Sequence, residues 1–175
     1  MEKAMFSFEL LDKYPPDIVI EESLKQIGEA TNGLVTGNIA KYNGPIDSYV
    51  RTANFATALG LMKEEKLVDI QDKLGEQEAE QSKFEVFLTV KGLEHYKYRM
   101  MFVGYSVISY PAIIIMDEEL AAAYHDKRSN RFRVDSMKEL QEMMNTVINS
   151  NKMIKLIQSL INESLRQEIR AQMLN

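Results

Sequence analysis

Residues 83 to 116 read KFEVFLTVKGLEHYKYRMMFVGYSVISYPAIIIM, three strand-like segments joined by short breaks. Phe84, Val86, Leu88 and Val90 alternate with Glu85, Phe87, Thr89 and Lys91, the period of a half-buried strand. Gly92 to Tyr96 reads as a short connection. Lys97 to Val107 then reads as a longer strand with apolar residues on both faces. Ser109-Tyr110-Pro111 interrupts, and Ala112 to Met116 continues as a strand apolar throughout. Links this short favour an antiparallel meander. A strand apolar on both faces needs helices or a second subunit to cover it.

The flanking sequence supplies helices. Asp17 follows Pro15 and Pro16 and reads as the N-cap of a helix over about 17–31, with Ile20, Leu24 and Ile27 on its buried face and Asn32-Gly33 as its left-handed stop. Leu34 to Tyr42 reads as a strand that Gly37 weakens, and Asn43-Gly44-Pro45 as a turn. Ile46 to Ser82 favours helix through Ala53, Ala56, Ala58, Leu59 and Met62, then Leu67, Ile70 and Leu74. Beyond the block, Glu118 to Tyr124 reads as a helical turn and Arg131 to Val134 as a short edge strand. Ser136 and Glu139 form an S-x-x-E capping box opening a helix with Met137, Leu140, Met143, Met144, Val147 and Ile148 inward. Asn149-Ser150-Asn151 breaks it, and a last helix places Ile154, Ile157, Ile161, Leu165 and Ile169 on one core face. The expected fold is α+β, an antiparallel sheet packed against an N-terminal helix and a C-terminal helical pair. Residues 1–175 are expected to form one domain, with 44–83 a helical insertion or lobe.

Three stretches carry a resemblance. EESLKQIGEATNGLVTGNI, YKYRMMFVGYSVISYPAIII and DSMKELQEMMNTVINSNKMIKLIQSLINES resemble a group of small uncharacterised bacterial α+β proteins. Its marks are a T-N-G-L turn, Y-x-Y-R and Y-P-x-x-I strands, and a C-terminal helix like S-x-K-x-x-x-I-Q-S-L. The resemblance implies the same α+β fold and no activity.

Composition narrows the chemistry. The chain has no cysteine, which excludes disulfides, zinc fingers, iron–sulfur clusters and thiol nucleophiles. The N-terminus MEKAMFSFELLDKYPP does not read as a secretory signal, and no apolar run reaches bilayer length. The expectation is a cytoplasmic protein with no membrane association. The net charge of −5 argues against nucleic acid as a partner.

Catalytic patterns are sparse. His95 and His125 stand outside any H-x-x-x-H or H-E-x-x-H spacing and read as exposed turn residues. Ser106, in Gly104-Tyr105-Ser106-Val107, lacks the second glycine of a nucleophile elbow and reads as a strand residue. Neither a Walker loop nor a dinucleotide loop occurs among the eight glycines. Asp117-Glu118-Glu119 reads as the polar end of a strand or the acidic first turn of a helix. No metal or cofactor is expected.

Lys127, Arg128, Arg131 and Arg133 form a basic cluster, either a contact for phosphate or an acidic partner, or charge that guards an edge strand from aggregation. The second reading is preferred. The preferred function is a non-catalytic binding or assembly module whose partner is itself or another protein. Its interface falls on the sheet block or the C-terminal helices. Tyr98, Met100 and Phe102 are expected on one strand face and Tyr105 on the other. One rival is a small-molecule binder or enzyme with a pocket lined by His95, Tyr96, Tyr98 and Arg99. Another is a nucleic-acid binder using Arg128, Arg131 and Arg133, or the segment around Arg51 and Asn54.

Overall fold

The computed structural model describes residues 10–49, 65–67, 82–125 and 129–174. Among them the strands are β1 (Val35–Lys41), β2 (Asp47–Tyr49), β3 (Glu65–Leu67), β4 (Ser82–Val90), β5 (Leu93–Tyr105), β6 (Ala112–Met116) and β7 (Arg131–Val134). The helices are α1 (Pro16–Ala30), α2 (Glu118–Tyr124), α3 (Met137–Ile148) and α4 (Asn151–Met173). A five-stranded sheet runs in the order β1-β4-β5-β6-β7, antiparallel at every pairing. β2 and β3 pair separately, also antiparallel. The expected α+β architecture holds, with a helix before the sheet and two after it.

The apolar strand β6 shows why both its faces are hydrophobic. Ala112, Ile114 and Met116 join the main core with α1, α3 and α4. Ile113 and Ile115 point the other way and pack with Ile46, Tyr42 and Phe102. Residues of this chain therefore cover the second face of β6. No second subunit is needed there.

A bulge changes the phase of β5. Val86 lies opposite Met101 and Phe87 opposite Arg99, so Met100 is an extra residue in β5. Met100 and Met101 both enter the helix-side core. Tyr98, paired with Leu88, lies on that side too, while Phe102, paired with Ile115, lies on the other. The expected grouping of Tyr98, Met100 and Phe102 on one face is corrected. Strict alternation fails at this bulge, the first of two irregularities in the β4–β5 ladder; the second lies between Leu88 and Val90.

Several local readings also change. The β4–β5 turn is only Lys91-Gly92, with Gly92 at φ 85, so His95 and Tyr96 belong to β5 rather than to a connection. Ser106 falls just past the end of β5. The N-cap of α1 is Pro15, and Pro16 opens the helix with its φ already suited to it. Asp17 sits in the first turn and caps nothing; it accepts a hydrogen bond from Tyr105 instead. Residues 47–49 and 65–67 are strands where helix was expected. The expected helical positions Ala53 to Met62, Ile70 and Leu74, with Arg51 and Asn54, lie outside the described residues. The stop of α1 is as expected, with Asn32 at φ 50 and Gly33 at φ 77.

Gly37 fixes the distance between helix and sheet. A Cβ on Gly37 would stand 2.8 Å from the Leu24 Cβ. The glycine that weakens β1 as a strand is what lets α1 lie directly upon it.

Candidate functional site

Helix α4 begins where the Ser150 hydroxyl accepts from the Met153 amide at 3.2 Å. No glycine or proline interrupts the helix over its 23 residues. Its inner side buries Met153, Leu160 and Ser164, and Leu156, Ile157 and Ile161 pack at the margin of the core. A Lys152–Glu119 ion pair joins α4 to α2. The Ser164 hydroxyl donates to the Lys91 carbonyl at 2.8 Å and ties the helix to the β4–β5 turn.

Past Ser164 the core contacts run out and the apolar residues do not. Leu165, Ile169 and Met173 are 43%, 57% and 81% exposed. Four residues advance a helix by about 40° beyond a full turn, so these three form one slowly winding stripe. Ile154, at 43% exposure, extends it backward. Arg166 and Arg170 flank the stripe and share one carboxylate, Glu163, at 3.1 and 4.0 Å. Hydrogen bonds from Gln167 and Arg166 hold that carboxyl below its ordinary range.

This corrects the sequence reading of α4. Ile154, Leu165 and Ile169 were expected in the core, but the core side is Met153, Leu160 and Ser164, roughly a third of a turn away. Two apolar stripes overlap on this helix, and a buried serine on the true inner side disguises it.

A groove of about 620 Å³ runs between α1 and α3. Tyr14, Ile18 and Val19 give it an apolar part, and Glu22, Gln26, Glu29, Gln141 and Asn145 a polar one. Tyr14 and Ile18 are both exposed. Lys25 lines it as well and is bridged to Glu22 at 2.6 Å.

The four residues expected to form a surface on the sheet do not come together. Met100 is fully buried. The Tyr98 hydroxyl donates to Asp117 Oδ1 at 3.0 Å, and burial with that carboxylate raises its pKa. The Tyr105 hydroxyl donates to Asp17 Oδ1 at 2.7 Å, its ring stacked on Phe84. Phe102, on the opposite face, packs under the Arg99 guanidinium at 4.8 Å.

The expected pocket of His95, Tyr96, Tyr98 and Arg99 is likewise split. Tyr96 and Tyr98 pack against the main core, His95 is exposed, and Arg99 joins Lys97 on the far face around buried Glu85. Asp117 turns out to be the N-cap of α2, accepting from the Glu119 and Leu120 amides. Glu118 and Glu119 follow as the acidic first turn. Of the basic cluster, Lys127 and Arg128 lie outside the described residues. Arg131 and Arg133 sit on edge strand β7, on the face of Ile115 and Ile113. Arg133 pairs with Asp135 at 2.7 Å, whereas burial and the charge of Arg133 lower the Arg131 pKa.

Among the described residues, no three His, Asp or Glu side chains converge to hold a metal ion. None of the described helices is long and apolar enough to cross a membrane. Compared with family models, curated proteins and solved structures, the chain shows no match.

Proposed function

We propose that this protein is a non-catalytic assembly module that joins copies of itself through the outward face of α4. The observation that carries this reading is the exposed stripe of Leu165, Ile169 and Met173 on a helix whose inner side is already satisfied. A fully buried leucine, isoleucine or methionine side chain is stabilised by about 1.5–3 kcal/mol relative to an exposed one. Three such positions on a rigid helix supply a driving force that folding alone leaves unused. The residues that would otherwise suggest a reaction are dispersed over both sheet faces, as the positions of Tyr98, Arg99 and His95 illustrate.

Of the two expected surfaces, the sheet block and the C-terminal helices, α4 carries the interface in this proposal. Met100 and Tyr105 are committed to the core and leave no surface for a partner. The test is light scattering on Leu165→Glu and Ile169→Glu chains. Both positions are exposed, so the melting temperature should stay near that of the unaltered protein while the assembly dissociates. An unaltered assembly in both variants would refute the role of α4.

A further inference from the structure

We propose that the free end of α4 docks, in a second copy of the chain, into the groove between α1 and α3. This rests on the assembly reading above and names the surface that receives the helix. The two surfaces match in polarity. Leu165 and Ile169 would lie against Tyr14 and Ile18, which are themselves exposed and line the groove.

They also match in charge. Beside the stripe, two guanidinium groups, Arg166 and Arg170, share the single carboxylate of Glu163. In the groove, two carboxylates, Glu22 and Glu29, face the single ammonium of Lys25. The arginine flank has a surplus positive charge and the groove a surplus negative charge; Glu168, on the other flank of the stripe, is bridged to Lys91 at 3.9 Å. Such pairing sets register and excludes the mismatched arrangement.

Length agrees as well. At about 1.5 Å per residue, the stripe from Leu165 to Met173 spans about 12 Å, and the α1 wall from Ile18 to Glu29 about 16 Å. The stripe is exposed in its own copy, so that copy's groove does not receive it. The contact is therefore between unlike surfaces, which closes into a ring or a reciprocal pair, or else extends as a filament.

The experiment uses two full-length variants. One carries Glu22→Lys with Glu29→Lys, the other Arg166→Glu with Arg170→Glu. Each alone sets like charges against each other, and self-association should weaken roughly tenfold or more. Mixed in equal amounts they should associate again, because each variant's helix then suits the other's groove. Sedimentation velocity reads all three samples, and circular dichroism verifies that both variants fold. Two results would overturn the proposal: groove variants that associate like the unaltered protein, or a mixture that stays dissociated. If Ile169→Glu still abolishes assembly in that case, the α4 reading survives and the groove alone is wrong. A monomeric unaltered protein would refute both.

Discussion

The Tyr105 hydroxyl donates a 2.7 Å hydrogen bond to Asp17, joining the last residue of the longest strand to the first turn of α1. The two lie 88 positions apart in the chain, so the bond closes helix layer onto sheet. Tyr105→Phe keeps the ring stacked on Phe84 and removes the hydroxyl, which also hydrogen-bonds Ser82. The expected loss is about 1.5–3 kcal/mol of stability, since the acceptor is charged. Denaturant unfolding of Tyr105→Phe, Asp17→Asn and the double variant would measure the coupling. Additive effects would show that the bond contributes nothing.

Gly37→Ala should destabilise the fold by about 1–3 kcal/mol, because the new methyl overlaps Leu24 in a packed core. Leu24→Ala made alone should also destabilise, by about 2–5 kcal/mol. Combined, the pair should lose less than the sum, the methyl added at position 37 filling part of the space Leu24 vacates. Thermal melts of the three variants test this. A sum without relief would mean that α1 shifts freely over β1.

Glu85 and its two cations should respond asymmetrically. Burial pushes the Glu85 carboxyl up, but hydrogen bonds from Lys97 and Arg99 and their charges outweigh it and hold the pKa below the ordinary value. Removing Glu85 leaves two cations that remain part-exposed, at a cost of about 1–3 kcal/mol. Removing both cations leaves a carboxylate that is only 7% exposed, at a cost of about 3–5 kcal/mol. With its folded pKa lowered, this cluster stabilises the protein above the carboxyl's unfolded pKa and ceases to do so as pH falls through the folded value. Acid titration of stability in Glu85→Gln should be flatter than in the unaltered protein. Equal acid sensitivity would contradict it.

At the alkaline end the sign reverses. Burial, with Asp12 and Asp17 nearby, pushes Tyr110 up to about 12. Burial and hydrogen-bonded carboxylates raise Tyr98 and Tyr105 as well. A raised folded pKa gives stability that is present below the unfolded value near 10 and is lost as pH rises through the folded one. The tyrosinate absorbance should therefore develop in two stages, the second coinciding with loss of helix signal. All eight tyrosines titrating together near pH 10 with the fold intact would refute the buried placement.

Local patterns were legible where one force dominated. β6 reads as a strand covered on both sides because five apolar residues leave no polar face. The helices α1 and α3 follow from spacing, stop residues and Ser136, whose hydroxyl accepts from Glu139. What stayed hidden depends on distant partners. The bulge at Met100 arises from register against β4, and the residue string MMFV carries no mark of it. Asp17 looks like a cap in isolation, and only Tyr105 across the fold gives it another role.

The candidate site was legible in kind and missed in place. An apolar stripe on the last helix was plain, but its direction depends on which side meets the sheet. Ser164 bonded to Lys91 marks that side, and a serine is a poor sign of burial in a sequence. Strands at 47–49 and 65–67 are three residues each, too short for a period-2 pattern to show, and their pairing joins positions about twenty apart.

The central claim is that the protein assembles with itself, and its mass in solution tests that most directly. Multi-angle light scattering over a concentration series should give at least twice the 20.1 kDa chain mass, falling toward that value on dilution. A constant 20.1 kDa at every concentration would contradict the account.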